Sequence, residues 1–250
     1  MKLAFSTLGC PAWSLDEIIH KAAEYGYDGV ELRGIQGNFS LYQVHELSPS
    51  QRALTKEKFR EHHLEIACIS TSGLLNSTTP QDKKQNFLEI QSNLKLAADM
   101  GCPFIRVFSG QVPSGSTFEE YISTIILNLR DIIPEAENRR VSVLVETHDA
   151  LVRGKDLASV MDKVPHPLLG ALWDINHPFR AGETVPETFR YLGKYLRHVH
   201  IKDSVKLDNG SVQLVLPGKG TLPIKETVAV LKEHDYSGYL SFEREKILAS

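Results

Sequence analysis

Val141-Ser142-Val143-Leu144-Val145-Glu146 is an apolar run that closes on a carboxylate. A strand buried on both faces reads as a continuous apolar run, the mark of a parallel sheet covered by helices. A hydrophilic group at its C-terminal end then points out of the packed core into a mouth. The pattern returns three times downstream: Leu168-Leu-Gly-Ala-Leu-Trp-Asp174, Leu196-Arg-His-Val-His-Ile-Lys-Asp203 and Gly238-Tyr-Leu-Ser-Phe-Glu243. Glu146, Asp174, His200 and Glu243 thus each sit at a strand end. Three carboxylates and an imidazole converging beside low-dielectric walls call for a neutralising charge, and a divalent cation is the simplest one.

Upstream, strand-like and helix-like segments alternate in the same way. Residues 2–7, 29–33, 65–71 and 104–108 read as strands ahead of the fifth at 141–147. Helices are predicted over 14–25, 50–63, 81–100 and 118–133. The first of these opens on a capping box, with Ser14 as N-cap and Glu17 three residues on. The 81–100 helix stops at Gly101, as a C′ glycine requires. Beyond the fifth strand, helices at 156–163, 186–195 and 224–234 separate strands at 169–174, 197–202 and 239–243. A two-stranded excursion turning at Asp208-Asn-Gly210 precedes the last helix. Eight strands with seven intervening helices predict an α/β chain closed into a (β/α)8 TIM barrel. No linker-like stretch divides the sequence, so residues 1–250 read as one domain. Only seven residues follow Glu243, so the eighth outer helix is expected to be absent and a homodimer contact to cover the gap.

Composition narrows the function classes. The chain has 250 residues, 42% hydrophobic and 24% charged, enough to build a sizeable core and too ordered in kind for a disordered chain. A net charge of −3 supplies no general basic field, so no nucleic-acid partner is expected. No stretch approaches the roughly 18 apolar residues of a membrane span, and no signal peptide is evident, so a cytoplasmic protein is expected. Cys10, Cys68 and Cys102 are odd in number and lack C-x-x-C spacing, which predicts buried thiols and excludes a thiolate-rich metal site.

In a barrel the active site lies at the C-terminal strand ends. Those ends carry Glu31, Arg33, Ser70, Thr71, Arg106, Ser109, Glu146, His148, Asp174, His177, His198, His200, Lys202 and Glu243. Taken singly, Glu146 or Glu243 also reads as half of an ion pair with Arg106 or Lys202. His198 and His200 alternate by two and face one side of their strand. The one nearer the mouth, His200, is expected to coordinate, leaving His198 packed behind it. The mixed Glu/Asp/His set suits one hard or borderline ion such as Mn²⁺, Mg²⁺ or Co²⁺, with Zn²⁺ possible. The glycine turn Leu216-Pro-Gly-Lys-Gly220 lies where barrels often hold phosphate, although by itself it reads equally as a tight surface turn.

Val-Glu-Thr-His-Asp (145–149), Leu-Trp-Asp-Ile-Asn-His (172–177), His-Val-His-Ile-Lys-Asp (198–203) and Phe-Glu-Arg-Glu (242–245) resemble the sugar phosphate isomerase/epimerase family, and Gly29-Val-Glu-Leu-Arg33 is similar to its second-strand motif. This family belongs to the xylose isomerase-like TIM barrel superfamily, with ketose 3-epimerases, hydroxypyruvate isomerases, inosose dehydratases and endonuclease IV. The resemblance implies Glu146, Asp174, His200 and Glu243 as metal ligands, and Glu146 and Glu243 also as the acid/base pair. It places His177 beside the metal in substrate binding, with Lys202, Arg106 and Glu31 completing the expected substrate-binding set. The implied activity is metal-dependent isomerisation or epimerisation of a sugar or sugar phosphate by proton abstraction next to a carbonyl, through a metal-stabilised enediolate. A dehydratase of a keto-sugar or keto-inositol is the alternative on the same scaffold. An endonuclease IV-like enzyme would need several more rim histidines and a basic groove.

Overall fold

A computed structural model of the protein describes residues 1–244. Eight parallel strands close into a barrel: β1 (Lys2–Ser6), β2 (Gly29–Leu32), β3 (Glu65–Leu74), β4 (Phe104–Phe108), β5 (Ser142–Glu146), β6 (Leu169–Asp174), β7 (Leu196–Ile201) and, last in the chain, β10 (Tyr239–Phe242). Each strand pairs with its neighbours in sequence order, and β10 returns to β1 through Phe242 beside Phe5. Between β7 and β10 the chain forms an antiparallel hairpin, β8 (Asp203–Lys206) and β9 (Val212–Val215), which stands apart from the barrel sheet.

Seven helices connect the barrel strands on the outside: α1 (Leu15–Glu24), α2 (Arg52–Glu61), α3 (Pro80–Met100), α4 (Phe118–Arg139), α5 (Gly154–Lys163), α7 (Val185–Leu192) and α8 (Ile224–Glu233). The capping box at Ser14 and Glu17 is formed, and Gly101 ends α3 in the left-handed region at φ 74°. The apolar faces of these helices and the outward faces of the strands make one continuous core that includes Ile18, Leu94, Leu129 and Val143. No helix among the described residues is long and apolar enough to cross a membrane. The expected absence of an outer helix after the last strand concerns residues 245–250, which lie outside the described residues.

Three features differ from the sequence expectation. Helix α4 continues through Pro134 to Arg139, because Ile132 and Ala136 bury the face on either side and hold the turn that proline leaves one hydrogen bond short. Strand β3 runs on to Leu74, with its register against β4 shifting between Ser70 and Leu74. A short helix, α6 (Asn176–Arg180), begins two residues after Asp174 at the mouth of the barrel.

Side chains fill the barrel lumen in levels set by the two-residue period of the strands. Ala4, Ala67 and Tyr239 form a small apolar cluster of their own. His198 sits 6.4 Å from the Tyr239 ring, and His200 is next along β7 at 5.6 Å from His198. Lys202 continues the same face. One strand therefore carries the lumen from an apolar floor to a charged mouth.

Candidate metal centre

Register brings the four expected ligands together. His200 pairs with Asp174 on β6 and with Ser241 on β10, and Glu146 stands beside Leu172 across β5–β6. Thr147 fixes the ends of those two strands, its hydroxyl accepting from the Asp174 amide at 3.0 Å and donating to the Asp174 carbonyl at 3.2 Å. Glu243 lies just past β10, where its amide donates to the Ile201 carbonyl at 3.0 Å. Ligand atoms of Glu146, Asp174, His200 and Glu243 all fall within 4.8 Å of one another, and all four residues are buried.

The imidazole of His200 divides two environments. Its Nδ1 is 3.1 Å from Glu146 Oε1 and 3.5 Å from Glu243 Oε2, whereas its Nε2 is 3.0 Å from both Glu31 oxygens. Burial alone would push His200 down, but Glu243, Glu31 and Glu146 outweigh it and hold the imidazole well above its ordinary range. Burial likewise works against the charged form of Glu146, and Arg106 with His200 overrides it to bring the carboxyl down to about 2. Glu243 is held well below the usual carboxylate range by His200 and Lys202, again against the effect of burial.

The site is built to receive positive charge. The Lys202 ammonium lies 2.6 Å from Asp174 Oδ2 and also pairs with Glu243 Oε2. Arg106 Nε is 3.3 Å from Glu146 Oε2, too poorly aligned for a hydrogen bond, so both atoms are buried without one. Three carboxylates and one imidazole nitrogen, with a carboxylate oxygen left open, fit a divalent metal ion of the oxygen- and nitrogen-seeking kind. The ion pairs that Arg106 and Lys202 offered as a structural reading of the glutamates are thus present alongside the ligand set.

The remaining expected residues fall at different depths. His177 lies in the first turn of α6, with Nε2 3.6 Å from Asp174 Oδ2 and its ring edge-on to His148 at 4.5 Å; burial lowers its pKa. Arg106 donates from Nη1 to the Thr71 carbonyl at 3.0 Å and stacks 3.7 Å from the centre of the Phe108 ring. Glu31 departs from its expected place among the substrate contacts. Its carboxylate is fully buried beneath the ligands and accepts from Ser70 Oγ at 2.6 Å, with His198 Nε2 at 2.9 Å and His200 Nε2 beside it. The reason is position: Glu31 precedes the strand end by one residue and points into the lumen, not out of it. His198 packs behind His200, as its place on β7 implied.

Sequence reasoning left two neighbours of the centre without a role. His148 contacts Asp149 at 3.0 Å, and the carboxylates of Asp149 and Glu146 raise its pKa against burial. Arg33 stands two residues beyond Glu31 on the same face of the chain, a spacing that already signalled a side chain one level nearer the mouth. The loop 216–222 also has a structural account. Asp203 Oδ2 accepts from the amides of Gly218 and Gly220, each at 2.8 Å, and Oδ1 accepts from Ser204 at 2.9 Å and Leu222 at 3.2 Å.

Comparisons with known proteins bear on the fold and the family. Fructoselysine 3-epimerase of Escherichia coli O157:H7 is 23% identical over 257 residues, covering 97% of the chain and 90% of that protein. Among solved structures, the probable 3-DHS dehydratase of petrobactin synthesis from Bacillus anthracis superposes with a TM-score of 0.83 at 20% identity, covering 99% of the chain and 94% of that one. The IOLI protein crystallised with a zinc atom gives 0.85 at 19% identity, covering 99% and 90%. The profile of one family matches residues 19–248, and the chain belongs to it: the Xylose isomerase-like TIM barrel family.

Proposed function

We propose that the protein is a metal-dependent isomerase or epimerase of a sugar, sugar phosphate or keto-sugar, acting by proton abstraction next to a carbonyl. The observation that carries this is the pair of ionised, buried glutamates, Glu146 and Glu243, that flank His200 Nδ1 from two strands. Binding alone needs no such pair. Glu146, Asp174, His200 and Glu243 would hold one divalent ion, Mn²⁺, Mg²⁺ or Co²⁺ by the hardness of the donors, with Zn²⁺ also compatible and found in the IOLI structure. That ion would supply Lewis-acid polarisation of a carbonyl and charge stabilisation when a neighbouring proton leaves.

The protein's own groups supply the rest. One glutamate accepts the proton beside the carbonyl; the other, once it has itself taken up a proton from solvent, delivers that proton from its own side, and the first then releases its proton to solvent. Return to the opposite face of the same carbon gives an epimer, and delivery to the adjacent carbon interconverts aldose and ketose. Lys202, paired with Asp174 and Glu243, holds those carboxylates ionised and offers a donor to a substrate oxygen. Arg106 does the same for Glu146. His177, half-buried at the rim, reaches a substrate hydroxyl from α6. Glu31 acts through His200: by accepting from Nε2 it fixes the ring so that Nδ1, which faces Glu146 and Glu243, would be the nitrogen to exchange its proton for a bound ion. A dehydratase is the second reading, favoured by the superposition on the probable 3-DHS dehydratase. It uses the same proton abstraction followed by loss of a β-hydroxyl.

The test is elemental analysis of the purified protein, followed by solvent-deuterium incorporation into a panel of ketoses and keto-sugars with and without chelator. About one metal per chain and chelator-sensitive exchange are expected, and the labelled carbon separates the outcomes. Glu146→Gln and Glu243→Gln should each lower exchange by about 10²- to 10⁴-fold, the usual worth of a positioned acid or base. Exchange that survives both substitutions would overturn the proposal.

A further inference from the structure

Arg33 stands at the mouth with a donor unused, next to the charge of Arg106. On β2 the side chains alternate: Glu31 points into the lumen, Leu32 is fully buried in the outer core, and Arg33 returns to the inner face at the strand end. The chain is pinned there by Thr7, whose hydroxyl accepts from the amides of Arg33 at 2.9 Å and Gly34 at 3.1 Å. The guanidinium lies 5.0 Å from the centre of the Phe39 ring. Its Nη1 is buried without a hydrogen-bond partner, and Arg33 forms no ion pair among the described residues. Arg106 beside it is more fully engaged at 1% exposure: one face on Phe108, Nη1 on the Thr71 carbonyl and Nε ion-paired at 3.3 Å with Glu146.

A buried N–H of a guanidinium without an acceptor is costly, and the like charge of Arg106 beside Arg33 adds to that cost. Burial and the neighbouring charge of Arg106 bring Arg33 down to about 10, so it remains charged at neutral pH. The carboxylates whose charge reaches it are occupied elsewhere. Glu146 and Glu243 belong to the metal centre, and Glu89 is engaged by Asn93 Nδ2 at 3.0 Å. Other cationic or amide donors at the mouth are also taken: Lys202 by Asp174 and Glu243, and the glycine loop by Asp203.

We infer that Arg33, with Arg106, forms a binding site for an anionic group on the substrate, a carboxylate or a phosphate, so that the metal centre acts on an acidic polyhydroxy ketone in preference to a neutral one. This rests on the proton-transfer reading of the metal centre. A planar guanidinium stacked on an aromatic ring presents paired N–H donors to either anion, and the aromatic support holds it in place before the ligand arrives. Arg33 sets specificity here and takes no part in moving the proton.

The experiment titrates metal-loaded protein calorimetrically with D-fructose, with its terminal phosphate ester, and with a keto-hexonic acid of the same carbon count. Deuterium exchange is followed on the same three ligands. One of the two anionic ligands should bind at least about tenfold more tightly than fructose, and which one identifies the anion. Arg33→Gln should narrow that preference about tenfold, and Arg33→Lys, which keeps the charge but loses the fork, should fall between. Melting curves of both variants confirm folding. A preference of less than about threefold in the unmodified protein, or one that Arg33→Gln leaves intact, overturns the anion site. Exchange into fructose without any anionic preference overturns this site while leaving the proposed reaction standing. An anionic preference erased by Arg33→Gln, without exchange in any ligand, supports the site and overturns the reaction.

Discussion

Replacing Asp203 by alanine should destabilise the protein by about 3 kcal/mol, and the figure follows from where its four donors lie. The carboxylate is 2% exposed and collects the amides of Ser204, Gly218, Gly220 and Leu222. Gly218 is exposed and Gly220 half-exposed, so in the variant water can reach those two amides and their loss costs little. Ser204 and Leu222 are buried, and each buried donor left unsatisfied costs about 1–3 kcal/mol. The loop does not come away altogether, because the Thr221 amide still donates to the Ser204 carbonyl at 3.0 Å and Arg180 Nη2 to the same carbonyl at 2.8 Å. For a chain of this size about 3 kcal/mol corresponds to a melting temperature lower by roughly 6–12 °C. Asp203→Asn should cost nearly as much, because its NH₂ group would face amide donors where an oxygen now accepts. Thermal melts of the two variants read this directly. A shift of less than about 2 °C for Asp203→Ala would refute the reasoning, and with it the argument that the loop amides have no capacity left for phosphate.

Gly220→Ala should destabilise in the same sense, since a Cβ there would run into the Asp203 carboxylate and come 2.6 Å from the Ser204 carbonyl; a melt equal to wild type would show the loop to be looser than described. Glu31→Gln should weaken metal binding by about 10- to 100-fold through misplacement of His200, measured by competition with a chromogenic chelator, and unchanged affinity would remove Glu31 from that role. The His148–Asp149 pair predicts a pH dependence. Burial works against both charged forms, but each partner outweighs it, raising His148 and lowering Asp149. The His148 contribution is complete below its unfolded pKa of about 6.5 and is lost as pH rises through the raised folded value. The Asp149 contribution is complete above about 3.9 and is lost as pH falls through the lowered one. Asp149→Asn, which tolerates the left-handed backbone at φ 53°, should therefore lose most stability between about pH 4 and 6.5 and progressively less as pH rises through the raised His148 value, as denaturant titrations across that range would show.

The barrel and the convergence of Glu146, Asp174, His200 and Glu243 were legible because each lies at a place where local pattern and global position coincide. Glu146 and Asp174 end apolar runs that only a doubly covered strand produces, and alternation along β7 separated His200 from His198. Glu31 was misplaced because a strand end is uncertain by a residue, and one residue decides whether a side chain faces the lumen floor or the mouth. Helix α4 passing Pro134 was hidden because tertiary packing of Ile132 and Ala136 overrides the local break that proline signals. The Asp203 clamp joins residues 15 to 19 apart through backbone amides, which no side-chain pattern records. The unbonded Nη1 of Arg33 was invisible for a similar reason: a missing partner is a property of the folded neighbourhood.

The hairpin of β8 and β9 has a practical consequence. Its turn closes on itself, with the Gly210 amide donating to the Leu207 carbonyl at 2.8 Å and Asn209 Oδ1 accepting from the Ser211 amide at 2.9 Å. Residues 206–213 are exposed, and neither strand shares a ladder with the barrel. A fluorophore or short epitope grafted between Asp208 and Gly210 would ride on a two-stranded arm clamped at its base by Asp203, just beyond Lys202. Such a graft would turn this tip into a reporter of events in the mouth without altering the register of any barrel strand.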